Sequence, residues 1–479
     1  MIDIASLEAE LARMPLRQRC GQVIAADGGA ITVTGLGTQA RLGDRIRIAD
    51  GPRAPGMDGE IVALSDQGVR AMIYGPVEGV ALADPVWLVP DSPLRPADGW
   101  IGRVVDAFGT ALDGKPLPQG DYPAELRRAP PAAATRAGLG ARLATGQSVM
   151  DTVLPLVRGQ RIGLFAGSGV GKSSLLTQLA QGVETDVVVF ALIGERGREL
   201  GEFITNGLGP EGMKRAVLVV ATSDESPLVK RRAAWTAMAV AEHFRDRGKR
   251  VLLLIDSLTR FAEAHREIAL TAGETPSLRA YPPSTANLIA ALAERAGPGE
   301  ARDGIGDITA IFAILVAGSD MEEPVADITR GVLDGHIVLD RAIAERGRFP
   351  AIDVGRSVSR ALPVAASTAE NQLIADARRM VGVYEKAEPM IQTGLYRPGA
   401  DAELDRAVRL RDPLDAFFAA RAPEGPTESF TRLERILSEG APASVDSGTA
   451  ADSDARVKAG SNVRPVPEPG SGPQSVENG

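Results

Sequence analysis

Three short segments of this 479-residue chain hold the residue types and spacings that do chemistry. The first is Ala166-Gly-Ser-Gly-Val-Gly-Lys172-Ser173, which follows the apolar run Arg161–Phe165 and leads into helical spacing over Ser174–Gln181. A glycine-rich turn between a strand and a helix can aim successive backbone N–H groups at one phosphate, and the helix N-terminus adds partial positive charge. Gly167, Ser168, Gly169, Val170 and Gly171 therefore form the expected cradle for a β-phosphate. Lys172 is expected on the β- and γ-phosphates, the Ser173 hydroxyl on Mg²⁺, and Ser174 at the first helical turn. Ala166 stands where glycine opens the usual form of this loop. A dinucleotide site is disfavoured, because after Gly167 and Gly169 the third fingerprint glycine would fall at Lys172.

The second segment is Val251-Leu-Leu-Leu-Ile-Asp256, a continuous apolar run ending in a carboxylate. Such runs are buried central strands, and ligands bind at their carboxyl ends. Asp256 is expected in the Mg²⁺ shell, directly or through water. The third is Leu192-Ile-Gly-Glu195-Arg196-Gly-Arg198-Glu199, at the end of another apolar run. Glu195 there is suited to polarise a water for in-line attack on a γ-phosphate. Arg196 is suited to steady that carboxylate or the phosphates. On spacing alone, the same segment also reads as a solvated charged loop.

These residues need an α/β scaffold, and the pattern predicts one. Between about 150 and 362, apolar strands (Arg161–Phe165, Val187–Ile193, Ala216–Ala221, Val251–Ile255, Ile308–Val316) alternate with helical stretches, as in a parallel sheet. Upstream, from 20 to 92, six short β-rich runs are cut by turns such as Asp27-Gly28-Gly29, which predicts a small barrel or sandwich. Gly35-Leu-Gly-Thr-Gln-Ala40 there brushes against a dinucleotide fingerprint, but Arg45-Ile-Arg-Ile48 continues as a strand and leaves no helix N-terminus for a pyrophosphate. Residues 93–135 read as a linker or a loop-rich lead into the α/β part. The stretch 366–437 has helical spacing throughout. Residues 2–16 predict an amphipathic helix with Ile4, Leu7, Leu11 and Met14 on one face, which either covers a core edge or docks a partner. The stretch 438–479 has five scattered valines as its only large aliphatic residues and predicts a disordered tail.

Composition removes several classes. Lys and Arg number 53 against 62 Asp and Glu, a formal charge of −9, which disfavours a bulk polyanion partner. No apolar run approaches the ~20 residues of a membrane span. Asp3, Glu8 and Glu10 break any secretory leader. One cysteine and three dispersed histidines leave no disulfide framework and no Cys/His metal site. A cytoplasmic chain is the expectation.

Taken together, Ile193-Gly-Glu195-Arg196-Gly-Arg198-Glu199, Asp256-Ser-Leu-Thr-Arg260, Tyr281-Pro-Pro-Ser284 and Pro350-Ala-Ile-Asp353-Val-Gly-Arg-Ser357-Val-Ser359-Arg360 resemble the rotary-ATPase catalytic subunits and type III export ATPases. The resemblance spans roughly 20–437. It implies a multidomain α/β chain: an N-terminal helix (1–19), a β-barrel (20–92), a phosphate-loop ATPase domain (93–365), a helical domain (366–437) and a tail (438–479). It also implies ATP and Mg²⁺ as ligands and a homohexameric ring. Glu195 resembles the catalytic carboxylate, Arg360 the arginine finger supplied to a neighbour, and Phe349 the aromatic that stacks on adenine. One departure is the Thr-Ala that follows Pro-Pro-Ser284, where the family carries bulkier Val-Phe.

Within the family the phosphate loop is more similar to the flagellar export form, which implies three further kinds of partner. These are a stator-like export regulator on the N-terminal helix, export-gate proteins, and export substrates or chaperones at the cytoplasmic face of the apparatus, peripheral to the membrane at most. The alternatives are a virulence-type secretion ATPase, a rotary-synthase subunit and a catalytically silent ring subunit. Glu195 argues against the last. An RNA-acting ring helicase is disfavoured too, since residues 21–90 hold only Tyr74 and Trp87 as stacking platforms.

Overall fold

A computed structural model describes residues 20–439 apart from 52–54, 91 and 317–320. The amphipathic helix expected over 2–16 lies outside the described residues, as does the expected tail beyond Glu439.

The first unit of structure is a closed barrel of six strands: β1 (Cys20–Asp27), β2 (Ala30–Thr34), β3 (Arg45–Ile48), β4 (Met57–Ser65), β5 (Gly68–Ile73) and β6 (Pro85–Val89), in the order β1-β2-β5-β4-β3-β6. Residues two apart, such as Ile31 and Val33 on β2 and Ile46 and Ile48 on β3, are buried and fill the barrel interior, while β4 and β5 each bury three residues in a row. The β1–β2 turn needs positive φ at two consecutive positions. Gly28 (φ 51) and Gly29 (φ 85) supply it without a Cβ clash. Closure removes free strand edges.

The second sheet contains β7 (Val104–Asp106), β8 (Arg161–Ala166), β9 (Val187–Glu195), β10 (Ala216–Thr222), β11 (Arg250–Asp256), β12 (Gly297–Pro298), β13 (Asp307–Leu315), β14 (Gly335–Leu339) and β15 (Ile352–Ser359). Its order is β15-β14-β8-β13-β11-β9-β10-β7, with the short β12 paired to β13. Strands β8, β13, β11, β9 and β10 are parallel and nearly wholly buried, which explains their continuous apolar runs. Strands β7, β12, β14 and β15 add to the five that the sequence pattern predicts. β7 has only three residues and sits inside the stretch that reads as a linker. β15 mixes Asp353, Arg356, Ser357 and Ser359 with its apolar residues because it is an edge strand, and it pairs antiparallel to β14.

Around this sheet lie α1 (Lys172–Gly182), α2 (Gly197–Glu202), α3 (Pro227–Arg245), α4 (Leu258–Thr271), α5 (Ser284–Arg295) and α6 (Pro324–Val332). The chain then forms α7 (Thr368–Gln392), α8 (Ala402–Ala419) and α9 (Pro426–Glu439), so helix continues two residues into the stretch that reads as tail. Ser367 and Glu370 form a reciprocal capping box at the start of α7. Ile374, Met380, Leu410 and Phe417 from these helices pack in one apolar cluster with Leu154, Leu164 and Leu176. The three-part architecture expected from the sequence is therefore present: barrel, α/β engine, helical cap.

One buried carboxylate ties the barrel to the engine. Glu60 of β4 accepts a hydrogen bond from Arg231 of α3 at 3.0 Å and faces Arg127 at 3.4 Å. Both guanidiniums lie over the Trp235 ring, 4.9 and 4.5 Å from its centroid. Burial pulls the Arg231 pKa down to about 10, which measures how poorly water serves that charge. Removing the carboxylate leaves the cation buried and unpaired, at a cost of about 3–5 kcal/mol. Glu60→Ala should show that loss in denaturant unfolding of the full chain. A loss below about 1 kcal/mol would mean that water reaches Arg231.

Candidate active site

Every residue of the site hangs from the carboxyl edge of the parallel sheet. β8 ends at Ala166, and the chain turns through Gly167–Gly171 into α1, which begins at Lys172. Gly169 (φ 76) and Gly171 (φ 92) take left-handed backbone, which lets the loop curl onto itself. β11 ends at Asp256, and Asp256 pairs in register with Leu192 of β9, so Glu195 stands three residues beyond it on the adjacent strand. Ser257 then starts α4 as a cap, its hydroxyl accepting from the Arg260 N–H at 3.3 Å.

This geometry brings three predicted residues together. The Lys172 ammonium donates to the Asp256 carboxylate and lies 3.5 Å from a Glu195 oxygen. The Lys172 and Asp256 side chains are 10% and 3% exposed, so the pair sits deep in the cleft. Ser173 lies at the junction of two cavities, one of about 790 Å³ over the phosphate loop and one of about 540 Å³ between α1 and α2. Gly167, Ser168, Gly169, Gly171, Lys172, Ser173 and Ser174 all line the first. Val170 does not. Its side chain is buried in the core cluster, so only its backbone remains available to a phosphate.

Burial pushes the Glu195 carboxyl above its ordinary pKa. Lys172 opposes that shift, while the negative charges of Asp256 and Glu199 add to it. A carboxyl so raised is protonated over more of the acid range, and a protonated group cannot accept a proton from water. Hydrolysis should therefore fall on the acid side at a higher pH than an ordinary glutamate gives. Glu199→Gln removes one repelling charge and should move that limb of the kcat/KM–pH profile, which reports the nucleotide-free enzyme, to lower pH. An unmoved limb would separate Glu195 from the pH dependence.

The remaining predicted residues are placed differently. Arg196 lines the phosphate-loop cavity with its side chain 76% exposed and pairs with Glu199 at 3.2 Å rather than with Glu195. The Phe349 ring lies against the last loop glycine, where a Cβ on Gly171 would sit 3.3 Å from it, and is 52% exposed. Its neighbour Arg348 pairs with Asp415 of α8, which ties this aromatic to the helical cap. Arg360, just past β15, is exposed and donates to the Arg330 carbonyl at 3.2 Å. It lines neither cavity of its own chain.

Arg260 joins the site without a chemical role read from the sequence. Its aliphatic stem packs on Gly194, where a Cβ would stand 3.1 Å from it, and its guanidinium pairs with Glu263 at 2.8 Å on the cavity wall. The available signal was its place four residues after Asp256, one helical turn into α4.

The donor set suits a hard divalent ion: a serine hydroxyl and a carboxylate beside a phosphate cradle. Among the described residues no three His, Cys, Asp or Glu side chains converge to hold a metal by themselves. An ion here would depend on phosphate oxygens as partners, as Mg²⁺ does at nucleotide sites.

Comparison with known proteins decides the family. The model of the ATP synthase alpha/beta family, nucleotide-binding domain, matches residues 146–359, and that of the T3SS EscN ATPase C-terminal domain matches residues 366–432. The flagellum-specific ATP synthase of Caulobacter vibrioides is 45% identical over 439 residues, covering 90% of this chain and 99% of the relative. The chain belongs to the type III export branch of the ATP synthase alpha/beta family. The SPI-2 type 3 secretion system ATPase of Salmonella typhimurium is 46% identical over 344 residues, covering 71% of this chain and 78% of that one. The assembled ATPase EscN from the type III secretion system of enteropathogenic E. coli superposes with a TM-score of 0.81. It is 34% identical, covering 87% of this chain and 100% of the other. Members of this family bind nucleotide, and this export ATPase is an ATP-hydrolysing enzyme.

Proposed function

We propose that this export ATPase energises a flagellar type III apparatus by hydrolysing ATP to ADP and phosphate. The observation that carries the chemistry is the meeting of Lys172, Glu195 and Asp256 at the carboxyl edge of the sheet, beside a phosphate-binding loop. The flagellar assignment rests on the length over which flagellar relatives align. A virulence-type secretion ATPase, with the same chemistry and other clients, is the second reading.

The backbone N–H groups of 167–171 hold the β-phosphate at the N-terminus of α1. Lys172 moves from the two carboxylates onto the β- and γ-phosphates. Mg²⁺, when bound by the Ser173 hydroxyl and Asp256, supplies charge neutralisation across the phosphates. Glu195 accepts a hydrogen bond from the attacking water and orients it in line with the leaving oxygen. Phe349 offers a face to the adenine. Arg360 of a neighbouring copy reaches the γ-phosphate, since its own chain keeps it outside the cleft.

The functional parts are taken as 20–92, 93–365 and 366–437, with residues 2–16 docking a stator-like export regulator. A homohexameric ring at the cytoplasmic face of the export apparatus, meeting gate proteins and substrates or chaperones, completes the proposal. Among the described residues no helix is long and apolar enough to cross a membrane. Specific ATPase activity should rise with protein concentration across the range where sizing shows assembly. Activity strictly proportional to protein, down to concentrations where only monomers elute, would refute the shared site.

A further inference from the structure

β15 is an edge of the sheet, and its outward face carries a second cation besides Arg360. Exposed Arg356, Val358 and Arg360 alternate with buried Ser357 and Ser359, so the three exposed residues share one side. β15 is bulged between Asp353 and Val358, which pair with Val338 and His336, so Arg356 stands on the bulge, four residues before Arg360. The strand is stiffly held there, with the Ser357 hydroxyl accepting from the Val338 N–H at 3.0 Å and His336 Nε2 bonded to the Arg356 carbonyl at 2.9 Å. The Arg356 guanidinium is 43% exposed, and its ion pairs are long, 3.5 Å to Asp340 and 4.0 Å to Asp353. Val358 between the two arginines is 43% exposed, an apolar side chain on an otherwise charged edge. Charge on an edge strand is often a guard against aggregation, but a guard does not require an exposed valine between its charges.

The rim of the hydrolysis cleft carries both signs, with Arg196 and Arg421 beside its carboxylates. Glu195, Glu199 and Glu202 line one wall of the cavity between α1 and α2. Glu199 is paired with Arg196. Glu202 has no side-chain hydrogen bond or ion pair among the described residues. From Glu195 to Glu202 the chain runs mostly as helix α2, a span of about 10 Å at 1.5 Å per residue.

Building on the shared-site reading above, we propose that Arg356 is a positioning residue that pairs with Glu202 of the neighbouring copy. The pair fixes how deeply the edge strand seats against the cleft, and so where Arg360 meets the γ-phosphate beside Glu195. Val358 is covered in the same contact. Arg356 touches neither nucleotide nor water.

The test is a charge exchange in the full chain. Arg356→Glu should lower kcat about tenfold with KM for ATP within twofold, because the ATP-binding groups stay in place. Glu202→Arg should do the same, and the double variant should recover to within about threefold of the parent. Arg356→Lys should retain most of the activity. A double variant no better than the worse single one, or Arg356→Glu within twofold of the parent, would overturn the proposal. Arg360→Ala, assayed in parallel, separates the two levels. If it too leaves kcat unchanged, the shared site itself fails; if it alone abolishes turnover, only the Arg356–Glu202 pairing does.

Discussion

Lys172→Ala is expected to lower ATP turnover by about a thousandfold while the chain stays folded. Among the described residues the ammonium is the one cation held against both Asp256 and Glu195, and it stands beside the phosphate cradle. Without it, charge developing on the β–γ bridge has no fixed positive partner from this chain, and the two carboxylates face the phosphates unshielded. The repulsion works against the same transition state, so the effects add in sign. The fold should survive because Leu175, Leu176 and Leu179 hold α1 in the core independently of the lysine. Lys172→Arg should not rescue, since a planar fork cannot occupy the point that a compact ammonium fills between the carboxylates. Phosphate release and circular dichroism on the same preparations check both halves. Turnover within severalfold of the parent, with dichroism unchanged, would remove Lys172 from the chemistry.

The helical cap is mechanically joined to the site. Backbone bonds stitch Ala420 and Ala422 to Ser148 and Gly146, at 3.1 and 3.0 Å, and Arg348–Asp415 links the cap to the residue before Phe349. A shift of α8 would carry the aromatic that borders Gly171. The barrel is joined to the other side of the engine through Glu60 and Arg231. The engine is thus tied to both the barrel and the helical cap.

What was legible in the sequence follows the range of the physics involved. The barrel strands could be read because the Gly-rich turns and alternating burial act over a few residues. The phosphate loop could be read because strand, glycines, lysine and helix are contiguous. Val170 shows the limit of that local view: it lies within the loop, yet packing turns its side chain inward. β15 was hidden because an edge strand that is half solvated carries no clean apolar period, and β14 because its apolar run, Ile337–Leu339, is only three residues long. The Glu60–Arg231 joint was invisible because its partners stand 171 residues apart. Arg260 acts through α4 packing on Gly194, a contact that no spacing rule predicts. The finger role of Arg360 came from family resemblance, and the structure adds a reason to look beyond one chain, since Arg360 lines neither cavity of the cleft.

In the proposed ring each hydrolysis site is completed by a second copy. Arg360→Ala alone removes the finger from every interface, and Glu195→Gln alone removes the water-orienting carboxylate from every cleft. Each should lower turnover by about a hundredfold or more. In a mixed ring, an Arg360→Ala subunit still has an intact cleft, and a Glu195→Gln subunit still has an intact finger. Where the second presents its arginine to the first, one complete site forms. In randomly mixed equimolar rings, about one interface in four has that arrangement, so turnover should recover to roughly a quarter of the parent value. ATP hydrolysis by the two variants, mixed as dissociated subunits and then reassembled, is the measurement. Recovery that peaks near equal proportions is the predicted result. Mixtures that hydrolyse no faster than either variant alone, although rings have formed, would contradict it.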